Sequence, residues 1–156
     1  MKCLRYLIAA AAFGFILPAQ AAQTDPELII YRFPGVFDNG GSSLSGSATV
    51  FHCSNFSGAT ENIRIVTRNV DTTIKNNTLF VGVDSLRTIT AVTHAVSAYI
   101  TQVSIATGLV DQGTTAIAAT STNIVCTAMT IDASAAVPTG LALRGIRFNP
   151  APGSQE

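Results

Sequence analysis

The feature that most constrains this chain is a period of two. Short runs alternate apolar and polar residues and are broken by Gly, Asn and Asp. The segment 62–68 shows it best: Ile63 and Ile65 point one way, Arg64 and Arg68 the other. Such a period lays one apolar face on a strand and none on a helix. The abundant Thr, Val and Ile favour strands as well. The one helix-like piece, Ala133-Ser134-Ala135-Ala136, meets Pro138 and has room for a single turn.

Read this way, the chain gives strands over 27–33 (ended by Pro34-Gly35), 48–55, 62–68, 78–83, 87–93, 98–105, 115–120, 123–131 and 141–148. The polar stretch 69–77 and Asp111-Gln112-Gly113 read as turns. In 78–83, Leu79, Val81 and Val83 share a face opposite Thr78, Phe80 and Gly82. In 141–148, a bulge at Gly145 would keep Leu141, Leu143, Ile146 and Phe148 inward. Ile63, Ile65, Val81, Leu141 and Leu143 are expected inside, and Arg64, Arg68 and Arg144 outside. The fold class implied is all-β, a single antiparallel β-sandwich. Thr88-Ile89-Thr90 and Thr120-Ser121-Thr122 have no fixed spacing, so a threonine-ladder solenoid is not supported.

Residues 1–21 read as a secretory signal peptide. Lys2 and Arg5 precede an apolar run over 7–17, Pro18 breaks it, and Ala19-Gln20-Ala21 is a small-x-small cleavage site. The run is shorter than the ~20 residues a membrane span needs. Cys3 lies before it and leaves with it, and no later stretch is long and apolar enough to span. The mature chain is expected to begin at Ala22, secreted or periplasmic, with one sandwich domain over 22–148. An irregular tail over 149–156 carries Pro150 and Pro152.

Loss of Lys2 and Arg5 takes Lys+Arg from 9 to 7 against 9 Asp+Glu, a net charge of about −2. Lys75 is the only lysine left, and there is no basic run. Nucleic-acid binding by counterion release needs clustered cations, so that class of partner is not expected.

Two cysteines remain, Cys53 and Cys126. In an oxidising compartment the pair most simply forms one inter-strand or inter-sheet disulfide; the competing reading is two buried thiols. Their separation resembles that in immunoglobulin-type sandwiches, where one bridge joins the two sheets. The chain has no Trp, and Ile124 stands two before Cys126 where those domains place a tyrosine. The likeness is one of architecture and carries no function.

Candidate chemistry centres on His52 and His94. His52 adjoins Cys53, so their side chains leave opposite faces of one strand. A metal site would need both histidines to converge with a carboxylate such as Asp84 or Glu61, and their spacing matches no ligand pattern. The segment Gly40-Gly41-Ser42-Ser43-Leu44-Ser45-Gly46 lacks the Gly-x-Ser-x-Gly frame of a nucleophile elbow. Asn55-Phe56-Ser57 and Asn76-Asn77-Thr78 match glycosylation acceptors. No catalytic, metal or cofactor residues are assigned.

The loop Asp38, Asn39, Gly40, Gly41, Ser42, Ser43, continuing to Ser47, reads as a mobile recognition loop. The expected function is that of a non-enzymatic interaction module. It would bind a protein or glycan partner through loops or sheet edges. The alternatives are a small secreted hydrolase or metal-binding protein using His52 or His94, and a structural subunit of a surface assembly. The Pro-rich tail argues mildly against a donated C-terminal strand.

Overall fold

The computed structural model describes residues 26–148. The signal peptide expected at 1–21 and the irregular tail expected at 149–156 lie outside the described residues. Ten strands follow in order: β1 (Leu28–Asp38), β2 (Ser47–Asn55), β3 (Glu61–Arg68), β4 (Ile74–Val83), β5 (Thr88–Val92), β6 (Val103–Ser104), β7 (Val110–Ala119), β8 (Ile124–Asp132), β9 (Gly140–Leu143) and β10 (Ile146–Arg147). They build two five-stranded sheets, β10-β1-β7-β3-β4 and β6-β5-β2-β8-β9. Every pairing is antiparallel except β5 with β6. Among the described residues there is no helix, and none long and apolar enough to cross a membrane.

The expected all-β sandwich is what the chain forms. Its core lies between the sheets, with Ile30, Phe33, Ile63, Ile65 and Ile117 from one side and Phe51, Cys53, Ile124, Cys126 and Ala128 from the other. Phe33 of β1 meets Phe51 of β2 edge-on across the interface, ring centroids 5.9 Å apart. Alternation places the apolar face of β3 correctly: Ile63 and Ile65 are fully buried and Arg68 is exposed. Arg64, expected outside, is half-buried beside Glu27, and Arg144, between β9 and β10, is exposed as expected.

Cys53 and Cys126 are bonded, with Cα atoms 4.2 Å apart. They are direct register partners on β2 and β8, neighbours within one sheet. Such a short Cα separation is that of a non-hydrogen-bonded antiparallel pair. The bridge is therefore inter-strand. It does not join the two sheets as the immunoglobulin bridge does; apolar packing holds them together across the core, with side-chain hydrogen bonds from Thr49 to Phe37 and from Asn55 to Val83 at its margins.

Several expectations fail, each for a local reason. Pro34-Gly35 does not end β1; the register shifts between Pro34 and Val36 and the strand runs on to Asp38. A second shift opposite Val110 and Gly113 absorbs the turn expected at 111–113 into β7. The polar turn contracts to 69–73, and β4 begins at Ile74. Its polar residues are tolerated because β4 is an edge strand, and Asn76 Nδ2 donates to Ile65 O (3.0 Å).

Val81 is 63% exposed, not buried. Thr78 and Phe80 pair with the inward Ile65 and Ile63, so Leu79 points out. A bulge containing Gly82 at φ +70° then returns Val83 to the core.

The segment 141–148 is not one bulged strand. β9 pairs with β8 in one sheet and β10 with β1 in the other, so the chain crosses the sandwich at Arg144-Gly145. A Cβ on Gly145 would stand 2.5 Å from Phe33 Cε1, which explains the glycine. Leu141, 72% exposed, lies on a sheet edge, and Leu143 is only half-buried against the core.

The strand expected at 98–105 shrinks to β6. Residues 93–102 instead fold over the outer face of the second sheet. Val96, Ala98 and Tyr99 cover Ala48, Val50, Val92, Met129 and Ile131. Gln102 staples this cap: its Oε1 accepts from Val96 N (3.0 Å) and its Nε2 donates to Val96 O (2.6 Å).

Candidate functional site

The two histidines do not converge. His52 projects from the outer face of β2, opposite to Cys53 as expected. Its Nδ1 is 3.1 Å from Thr90 Oγ1, and its ring meets Tyr99 edge-on at 4.8 Å. Burial under the cap pushes its pKa below the ordinary 6.5, because the imidazolium loses hydration there. His52 is a strut between β2, β5 and the cap.

His94 follows β5 and reaches back to the end of β1. Its Nδ1 lies 2.7 Å from Asp38 Oδ2 and its Nε2 lies 3.0 Å from Ser45 O. The side chains are 12% and 1% exposed. Both ring nitrogens are thus engaged within the fold. Asp38, His94 and Ser45 occur together as a catalytic triad would require, but the third atom is wrong. His94 meets the Ser45 carbonyl, while the Ser45 hydroxyl bonds Ser42 O (3.0 Å) and Ser42 Oγ (2.9 Å). A base needs a hydroxyl in reach of its free nitrogen. Here that nitrogen is taken by an acceptor.

The loop from Asp38 to Ser47 is tied to its surroundings by hydrogen bonds. Asp38 also accepts from Gly40 N (2.8 Å). Asn39 Oδ1 accepts from Gly41 N and Ser47 N (3.2 and 3.1 Å), and Asn39 N donates to Ser47 O. Leu44 N donates to Ala95 O (2.9 Å), and Ala133 N donates to Gly46 O (2.7 Å). Ser42, Ser43 and Leu44 form an exposed tip.

The carboxylates weighed with the histidines stand elsewhere. Asp84 is exposed and accepts from Thr60 Oγ1 (3.2 Å). Glu61 is fully buried; its Oε2 accepts from the Thr120 hydroxyl and its Oε1 has no partner. Among the described residues no three of His, Cys, Asp and Glu are grouped to hold a metal. Both sequon asparagines are engaged in the fold. Asn55 Nδ2 donates to Ala59 O and Val83 O (2.8 Å each), and Asn76 bonds Ile65 as above.

A feature that sequence reasoning missed lies at the other end of β5. A cavity of about 120 Å³ opens between the two sheet edges, with Phe80 of β4, Ile89 of β5 and Val103 of β6 among its walls and Arg87 beside them. Nothing in the spacing of these residues announces it; the sheets bring together strands far apart in the chain. Comparison with protein-family models, curated proteins and solved structures returns no match to this chain.

Proposed function

We propose that this chain is a secreted or periplasmic, non-enzymatic β-sandwich that binds a protein or glycan partner through its loops and sheet edges. The observation that carries the reading is the incompletely paired edge of β5, which has a cavity and an exposed arginine beside it. Strand edges recognise partners through main-chain hydrogen bonds, and adjoining pockets supply selectivity. The disulfide fits an oxidising compartment. The contacts of His52 and His94 are those of structural residues, and the two are held in separate places.

The test has two arms. Titrating the ¹⁵N-labelled protein with panels of extended peptides and oligosaccharides should give localised shifts at a sheet edge or at the 38–47 loop. Assays on ester, phosphate and glycoside substrates should give no turnover above background. Turnover that falls ~100-fold or more in a folded His52→Ala or His94→Ala variant, the scale of general acid–base catalysis, overturns the reading in favour of a hydrolase.

A further inference from the structure

The two sides of β5 are paired unequally. β2 runs its whole length, from Ser54 opposite Thr88 to Val50 opposite Val92. On the other side β6 reaches only Ala91 and Val92. Segment 88–90 therefore has a strand on one side and none on the other. Arg87 O accepts from Asn55 N on the β2 side (3.0 Å). The N–H in that same peptide plane, belonging to Thr88, points the opposite way, into the open side.

The cavity lies along this bare edge. Phe80, Ile89 and Val103 give it an apolar wall, and Thr101 and Gln102 flank it where the chain approaches β6. A cavity of about 150 Å³ holds a benzene ring, so about 120 Å³ is the scale of one aliphatic side chain. Arg87 is exposed, and among the described residues its guanidinium has no ion-pair or hydrogen-bond partner. Three recognition elements thus meet in one corner: unpaired backbone, a one-residue apolar pocket and a free cation.

We propose that this corner captures the C-terminus of an extended peptide. Its last residue places a valine- or leucine-sized side chain in the cavity, its backbone lies beside Thr88, and its terminal carboxylate meets Arg87. The inference rests on the binding-module reading above and names the partner chemistry for this edge. Strand geometry favours a terminus over an internal acidic residue. In an extended peptide the residues beside the buried one point to the opposite face. A terminal carboxylate is attached to the same Cα as the side chain that fills the pocket, so one residue reaches both the cavity and its rim. Arginine supplies a planar, two-pronged donor suited to a carboxylate.

The experiment is fluorescence anisotropy with a labelled hexapeptide of alternating threonine and valine ending in leucine, as the free acid and as the C-terminal amide. The free acid should bind at least tenfold more tightly than the amide. Arg87→Ala should abolish that preference and Arg87→Lys retain part of it. Val103→Phe, which fills the cavity, should weaken the free acid at least tenfold. Arg144→Ala, on the opposite edge of the molecule, should leave the preference intact and so exclude a general charge effect. Circular dichroism and thermal melts establish that each variant is folded.

Equal affinity for acid and amide, a preference that survives Arg87→Ala, or no binding of the acid at millimolar concentration each overturns the inference. Amide-resolved NMR separates its failure from that of the broader reading. Peptide-induced shifts confined to the 38–47 loop or another edge overturn this site and leave the binding module standing. Shifts nowhere, with peptides and oligosaccharides alike, overturn both.

Discussion

The two ends of the β2–β5 pair are built on opposite principles. At the end where β5 runs into His94, polar groups are tied together: His94 spans Asp38 and Ser45, and Asn39 closes the turn onto Ser47. At the end where β5 begins, the Arg87 guanidinium has no partner among the described residues and Thr88 turns its N–H to an open side. The first end contains the loop that sequence marks as flexible. The second is regular strand. Flexible-looking composition and functional exposure have come apart here. A fold departs from full satisfaction of its polar groups where it has a use for them.

The comparison can be broken most decisively at the braced end. His94→Ala leaves the Asp38 carboxylate buried beside only Gly40 N, and losing one partner of a buried pair costs about 3 kcal/mol or more. Urea denaturation should show that loss. A cost under about 1 kcal/mol would mean the clamp does not hold the loop. A double-mutant cycle with Asp38→Asn should show strong coupling between the two sites.

Removing the disulfide should cost somewhat less, about 2–4 kcal/mol, for a loop spanning 73 positions. Because Cys53 stands opposite Ile89, next to Thr88 and five residues short of His94, Cys53→Ala/Cys126→Ala should raise hydrogen exchange more at the open end than at the braced end. An equal rise at both ends, or a larger one at the braced end, would contradict that placement.

A smaller effect concerns pH. Burial holds the folded-state pKa of His52 below 6.5. Above that pH both folded and unfolded chains carry it neutral and stability is full. As pH falls, the unfolded chain takes up the proton first. Stability is therefore lost through the window between 6.5 and the lower folded value. His52→Gln should flatten this part of the pH–stability curve, and an unchanged slope would assign the loss elsewhere. Smallest of all is Arg87→Ala, which should alter stability by no more than about 0.5 kcal/mol because its guanidinium has no ion-pair or hydrogen-bond partner among the described residues. A loss well beyond that would give Arg87 a structural role and erode the contrast between the ends.

What was legible in the sequence follows from how local its causes are. Alternation located β2, β3, β5 and β8 because each is flanked by neighbours that bury one face. The cysteine pair was legible because Cys53 and Cys126 are the two that stand beyond the N-terminal apolar run. Pro34-Gly35 and Asp111-Gln112-Gly113 misled because a bulge and a turn use the same residues. The apolar residues of 98–105 suggested a strand, yet Ala98 and Tyr99 cover a second apolar face that appears only once β2, β5 and β8 are side by side. Asp38 and His94, and likewise Phe80, Ile89 and Val103, are brought together by sheet packing alone. No sequence spacing records those meetings.

Native-state amide hydrogen exchange tests the contrast most directly, since exchange reports which N–H groups are held. Leu44 and Ser47 belong to a Gly- and Ser-rich loop, but their N–H groups donate to Ala95 O and Asn39 Oδ1. Thr88 belongs to a strand, but its N–H faces the side that β6 does not cover. We predict slow exchange at Leu44 and Ser47 and fast exchange at Thr88. Fast exchange at Leu44 and Ser47 with a protected Thr88 would contradict the account.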